Sequence, residues 1–185
     1  MKLETKHLAP YLPYELKIMF NKKHKGELVG LLASKWNLAE IKFEFGNERN
    51  DVEVCFPILR PLSDISKEIE VDGEKFIPIF ELAKISNFKH DFKRIVNENG
   101  TLVLYSDVSK HPELDHPGLV HFFEMDTEDC DFDYGFEVLG QQGEVSDTFF
   151  FPIKNQLSLF NKLFEWHFDV FGLIEKDLAI NINIL

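Results

Sequence analysis

Apolar and polar residues alternate along the first third of the chain, which predicts short antiparallel strands. In the stretch IKFEF, Ile41, Phe43 and Phe45 fall on one side and charged residues on the other, as in a strand with one buried face. Two turn-forming segments, NKKHKG and GNERN, separate similar runs. The strands predicted here span 15–20, 27–33, 39–45 and 51–56.

Helical spacing of apolar residues appears in three later segments. It predicts a short helix over 63–70 and a second helix in SNFKHDFKRIVNENG, which Asn99 and Gly100 end. The segment 155–180 is apolar around most of a helical circumference, which predicts a long buried helix that forms the spine of the core. Further strands are predicted over 75–80, 101–106, 119–125, 134–140 and 146–153.

The clustering of strands predicts an α+β fold, with a largely antiparallel sheet packed on a long, mostly buried C-terminal helix and on shorter helices. A chain of 185 residues fits a single globular domain over 1–185, in which the acidic strand and loop segment 107–147 is a candidate insertion. We see no signal peptide and no apolar run near the ~20 residues that span a bilayer, and we expect a cytoplasmic protein. Cys55 and Cys130 are expected to be reduced, partly buried thiols.

Charge is distributed very unevenly along the chain. The segment 107–147 contains twelve acidic residues against Lys110 alone, a net charge of −11 out of −12 for the whole chain when His is neutral. This segment would repel phosphates, so it disfavours direct nucleic-acid binding and favours a basic protein partner. No nucleophile elbow, phosphate-cradling loop or Cys-x-x-Cys motif occurs, and we predict no enzymatic activity and no cofactor.

The densest acidic stretch, EMDTEDCDFDYGFEV, contains the alternating Asp residues of a calcium loop but lacks two residues that such a loop requires. Counted from Asp129, the sixth position holds Tyr134 instead of Gly, and the twelfth holds Gly140 instead of Glu. Aromatic residues alternate with the carboxylates instead, which predicts a strand with a buried aromatic face and an outward carboxylate face. That face is either a passive, solvated surface or a partner-binding one. The candidate partner-binding residues are Glu124, Asp126, Glu128, Asp129, Asp131 and Asp133.

Histidines near the acidic stretch suggest a second hypothesis, a metal-dependent hydrolase or nuclease. His111, His116 and His121, with Asp115 and Glu124, are residue types that bind Zn, Mn or Fe. Their spacing of five, interrupted by prolines, matches no known ligand pattern, and exposed loop histidines are the alternative. We predict no metal site.

Residues 1–25 contain six Lys and two Glu, and this Lys-rich arm is the part of the chain suited to contact phosphates. A solvated hairpin tip explains the same residues without any function. The candidate basic contacts are Lys17, Lys22, Lys23 and Lys25.

Three blocks, KLETKHLAPYLPY, PILRPLSDISKEIE with GEKFIPI, and LFEWHFDVFGLIEKDLAI, resemble a group of uncharacterised proteins of Bacteroidota phages and prophages. The blocks cover under half of the chain and exclude the segment 107–147. The resemblance implies a phage or mobile-element protein that acts in a bacterial cytoplasm, where small acidic proteins often inhibit host defence, anti-CRISPR proteins among them. It brings no known activity and no functional residue.

Together these observations give three hypotheses about function. The first is a non-enzymatic phage or mobile-element protein that inhibits a bacterial defence effector. The effector would be a basic protein that handles nucleic acid, such as an RNA-guided one, and the acidic residues of this chain would bind it. The second is the metal-dependent hydrolase. The third is a structural or dimerising phage protein.

Overall fold

The structure, a computed structural model, describes residues 1–32, 37–86, 92–98, 101–106, 119–127, 130–140, 144–151 and 153–185. The chain divides into two compact units. The first unit combines Met1–Leu62 with Phe160–Leu185, and the second unit is Ser63–Leu159. The acidic segment 107–147 therefore falls in the second unit. The predicted single domain and the candidate insertion stay predictions.

The first unit is built on a six-stranded sheet. A short helix, α1 (Thr5–Leu8), leads through a 3₁₀ turn at Ala9–Tyr14 into the sheet, whose order is β13-β5-β1-β2-β3-β4. All neighbours in this order are antiparallel except β13 and β5. The strands are β1 (Lys17–Phe20), β2 (His24–Leu32), β3 (Leu38–Phe43), β4 (Gly46–Asp51), β5 (Cys55–Leu59) and β13 (Ile180–Asn181).

One buried cluster holds the first unit together. Leu16, Ile18, Leu28 and Ile41 are all essentially inaccessible to solvent, as expected of the inward positions of alternating strands. Tyr11 joins this cluster with its ring, and its hydroxyl donates a 2.6 Å hydrogen bond to the carbonyl oxygen of Phe168. The buried phenol therefore keeps a partner for its polar atom.

The second unit contains a two-stranded ribbon, a helix and a five-stranded antiparallel sheet of order β12-β11-β10-β9-β8. On one face of that sheet, Phe123, Met125 and Phe132 are fully buried. The side chain of Gln156, at the start of α3, donates to the carbonyl oxygen of Phe132. The elements are β6 (Ile69–Val71), β7 (Glu74–Phe76), α2 (Pro78–Ile85), β8 (Phe92–Glu98), β9 (Thr101–Ser106), β10 (Leu119–Asp126), β11 (Asp131–Leu139) and β12 (Val145–Phe151). A further helix, α3 (Gln156–Glu165), begins in the second unit and ends in the first.

The α+β class and the antiparallel sheets agree with the sequence prediction, but the long C-terminal helix was wrong. Helix α3 ends at Glu165, because His167 adopts a left-handed conformation with φ of 58°. His167 N–H donates to the Phe164 carbonyl oxygen and Phe168 N–H donates to that of Leu163, which closes the helix end around a left-handed residue. Asp169 then holds the next turn, because its buried carboxylate accepts hydrogen bonds from the N–H groups of Leu173 and Ile174.

Tertiary pairing overrides helical spacing in two further segments. Residues 92–98 form β8 rather than a helix, because the strand pairs along its length with β9. The segment 63–70 ends as strand β6, and α2 begins at Pro78 where a strand over 75–80 was predicted. Proline suits the first turn of a helix, where its missing N–H leaves no bond unmade. The predicted turn GNERN is the edge strand β4.

Candidate functional site

Four carboxylates meet where β10 ends and β11 begins. The antiparallel register pairs Glu124 with Asp133, and Asp126 with Asp131. Residues directly opposite each other in such a pair project from the same face, with Cβ atoms about 4.5–5.5 Å apart. Successive pairs along the strands are separated by ~7 Å, since each residue rises about 3.3 Å. We call these four residues the acidic surface.

The acidic surface forms a shallow depression. Its four carboxylate residues and Thr101, which lies opposite Asp126 on β9, line a cavity of about 170 Å³. Asp131 is exposed, and the other three acidic residues are half-buried. The carboxylates can therefore meet a cationic group from outside without any strand having to move.

The local sequence explains why these side chains face outward. Cys130, Phe132 and Tyr134 are buried on the opposite face, and the period of two then directs Asp131 and Asp133 away from the core. This confirms the strand that the alternation predicted. Burial raises the pKa of the Cys130 thiol to about 12, and Asp131 and Asp126 add to that effect. Cys130 is thus an inert part of the core, as is Cys55, whose pKa burial also raises to about 12.

Within the acidic surface, the fold disfavours the charged form of Asp133. Burial, and then the neighbouring charge of Asp131, raises the pKa of the Asp133 carboxyl above its usual value. Like charges directly opposite each other on adjacent strands also destabilise a sheet. A cation bound beside Asp133 would favour the charged form of this carboxyl.

The structure brings together four of the six predicted partner-binding residues. These four are the acidic surface itself, contributed by two neighbouring strands rather than by one. Glu128 and Asp129 lie outside the described residues. Thr101 was not predicted from the sequence, since only the pairing of β9 with β10 places it beside Asp126.

Of the three histidines in the proposed metal site, the structure describes only His121, which lies on the face of the sheet opposite the acidic surface. His121 lies opposite Phe136, whereas Glu124 projects from the face of Asp133, so the ring and this carboxylate point apart. The His121 Nδ1 atom is 2.8 Å from the Tyr134 hydroxyl oxygen, and the two rings stack at 6.0 Å. His111 and His116 lie outside the described residues. Within the described ranges, no group of three or more His, Cys, Asp or Glu could hold a metal ion.

The four lysines predicted as basic contacts lie in three different environments. Lys17 is paired with Glu27 across the β1–β2 pair, with 2.8 Å between nitrogen and oxygen. The Lys22 ammonium lies 4.7 Å from the centre of the Phe56 ring. Lys23 and Lys25 line a cleft of about 640 Å³ between two hairpin tips. The other residues of that cleft are Phe20, His24, Phe43, Glu44, Phe45, Gly46 and Glu48. Two glutamates therefore balance the two lysines, which weakens the cleft as a phosphate site.

Sequence reasoning also missed the exposure of β12. The prediction placed a strand there but gave no position in the sheet, and β12 is an edge strand whose seven residues are all exposed. The sequence does contain a signal for this. Three consecutive Phe, at 149–151, cannot all project from one buried face of a strand, since successive side chains alternate.

Comparisons with family models, with curated proteins and with solved structures find no match for this chain. None of the helices in the described ranges is long and apolar enough to cross a membrane.

Proposed function

We propose that this protein is a non-enzymatic interaction protein that binds a basic, nucleic-acid-handling protein through the acidic surface. The observation that carries the proposal is the register of β10 and β11, which sets two carboxylate pairs side by side on one face. Carboxylates in such an array, one exposed and three half-buried, present the sign of charge that a phosphate-binding surface attracts. Occupying that surface would keep nucleic acid out.

Charge supports the same partner at a larger scale. The first unit contains twelve acidic and twelve basic residues, whereas the second contains twenty acidic and eight basic ones. The second unit therefore carries the net charge of the entire chain, −12 with His neutral. A field of this size accelerates the approach of basic proteins and repels free nucleic acid. The proposed setting is the bacterial cytoplasm, with a defence effector as the inhibited partner, as the phage resemblance implies.

The test reverses three charges of the acidic surface, in Glu124→Lys, Asp126→Lys and Asp131→Lys combined. The matched control reverses three exposed carboxylates of the second unit outside it, in Glu68→Lys, Glu70→Lys and Glu74→Lys combined. Each immobilised protein is used to capture proteins from a bacterial lysate, which mass spectrometry identifies. We expect the wild type and the control to retain a common basic, nucleic-acid-binding protein, and the surface variant to lose it.

Two further measurements complete this test. The captured protein should bind its nucleic acid less tightly once the wild-type chain is added, and the complex should weaken as salt rises, since exposed charges are screened over ~10 Å at 0.1 M. Equal capture by the surface variant and the wild type would refute the proposal. So would a captured protein whose nucleic-acid binding is unaffected.

A further inference from the structure

Strand β12 is an edge strand with an unusually apolar, accessible surface. Val145 is 51% exposed, Phe149 47%, Phe150 57% and Phe151 43%, so large apolar side chains face water from both faces of the strand. In the described part of the chain, β12 pairs only with β11. Natural edge strands are usually protected by Lys, Pro or a covering element. Across Val145–Phe151 the one charged residue is Asp147.

Aromatic rings run across the sheet and reach this edge. On one face, Phe136 of β11 stacks on Phe149 of β12 with 4.9 Å between ring centres, and Tyr134 lies 6.0 Å from Phe151. On the other face, Phe150 meets Phe122 edge to face at 5.4 Å. Cross-strand aromatic pairs of this kind are the units that stabilise a sheet. Each row ends in a half-exposed ring, so one more strand beside β12 would continue both rows.

Charge decides which strand fits this edge. A second copy of this chain would bring another second unit of net charge −12, and Asp147 of β12 would gain more negative neighbours. An extended segment with Lys or Arg opposite Asp147, and apolar residues opposite the three Phe, would match both the charge and the rings. Backbone hydrogen bonds along the edge would supply affinity, and the alternating side chains would supply specificity.

We propose that β12 binds an extended, basic segment of the partner protein as an additional strand of the five-stranded sheet. This inference rests on the proposed function, because it takes the basic partner from there and adds the way in which that partner docks. It assigns the apolar contacts to Phe149, Phe150 and Phe151. Attraction by the acidic surface and pairing with the edge are then two separate contributions to one interface.

The probe is a capped nine-residue Lys/Val peptide, Lys-Lys-Lys-Val-Val-Val-Lys-Lys-Lys, which in either strand direction sets its three Val opposite Phe149, Phe150 and Phe151 and a Lys opposite Asp147. Its control is the same peptide with N-methyl groups on two consecutive central residues, which blocks hydrogen bonding along both peptide edges while charge and composition stay the same. Amide hydrogen exchange of β12 is followed by NMR. At a peptide concentration ten times the Kd, we expect about tenfold slower exchange at alternate β12 residues, those whose N–H points away from β11. The N-methylated peptide should give no such pattern.

Two protein variants test the same contacts from the other side. The double variant Phe149→Thr and Phe151→Thr should bind the Lys/Val peptide at least tenfold more weakly. Leu157→Thr removes a side chain that is 73% exposed on α3 rather than on β12, and this variant should bind the peptide as the wild type does. Equal binding of the two peptides, or equal binding by the Phe149/Phe151 variant and the wild type, would overturn strand addition.

The failures of the two proposals can be told apart. If the charge reversals at Glu124, Asp126 and Asp131 abolish peptide binding while the Phe149/Phe151 variant retains it, the acidic surface stands and strand addition falls. If the reverse holds, strand addition stands and the acidic surface falls. Light scattering of the protein alone provides a third outcome. A concentration-dependent dimer with protected β12 amides would show that the edge binds a second copy, which contradicts a basic partner.

Discussion

At the scale of single residues, Asp133 illustrates a carboxylate whose charge the fold opposes. Glu124 lies directly across the strand pair, and burial together with Asp131 raises the pKa of the Asp133 carboxyl. The Asp133 carboxyl therefore binds a proton more tightly in the folded protein than in the unfolded chain, where its reference pKa is 3.8. Its contribution to the free energy of unfolding falls as pH rises through the interval between the two pKa values, and remains unfavourable at neutral pH.

Asp133→Asn should for that reason stabilise the protein at pH 7. We expect a gain of a few tenths to about 1 kcal/mol in the free energy of unfolding, since the substitution removes a half-buried charge that lies near Asp131 and opposite Glu124. The gain should shrink as pH is lowered through the raised pKa of Asp133, because the wild-type carboxyl then becomes protonated itself. Urea denaturation at several pH values measures this difference.

The control for this prediction is Glu70→Gln. Glu70 lies opposite Lys75 in the β6–β7 ribbon, so its neutralisation removes an attractive pair and should not stabilise. A loss of stability in Asp133→Asn at neutral pH would show that the pairs of the acidic surface attract a neighbouring cation more than they repel each other.

At the scale of elements, Gly135 allows β10, β11 and β12 to lie side by side. A Cβ atom at this position would come within 2.5 Å of Cζ of Phe122, and it would overlap the carbonyl oxygen of Phe149 even more closely. The ring of Phe122 can turn away, but the carbonyl belongs to the backbone of β12. Gly135 is therefore required by close approach within the sheet rather than by its own backbone angles.

Gly135→Ala should destabilise the second unit by about 1–3 kcal/mol, because the overlap forces the strands apart. Thermal unfolding measures the effect, and exchange of β12 amides should accelerate more than that of β9 amides. The control is Gly30→Ala, whose Cβ would lie 3.2 Å from the Cβ of Glu40 and so needs a smaller shift. Adding Phe122→Leu to Gly135→Ala should restore only a small part of the loss, and full restoration would contradict the role of the backbone contact.

The same elements show what the sequence could and could not predict. Alternation identified β11 correctly, because its aromatic residues have one buried face to fill. It could not identify β8, where Phe92, Ile95 and Val96 fit helical spacing and only pairing with β9 decides the outcome. The end of α3 at Glu165 was not predicted, because the left-handed residue that follows it is His167 and not the Gly that usually marks such a position. The acidic surface was predicted from one strand, but its geometry comes from the register of two.

At the scale of the whole molecule, the neutral first unit and the second unit of net charge −12 should respond differently to salt. Self-repulsion destabilises a highly charged compact state, and salt screens it, with a Debye length of about 30 Å at 0.01 M and ~10 Å at 0.1 M. Raising sodium chloride from about 0.01 M to 0.1 M should therefore slow amide exchange in β9–β11 more than in β1–β3. In the combined variant Glu124→Gln and Asp131→Asn, the response of β9–β11 should be smaller, while that of β1–β3 should be unchanged. Equal slowing in both sheets would show that the charge of the second unit is balanced locally, and would remove the electrostatic basis for a basic partner.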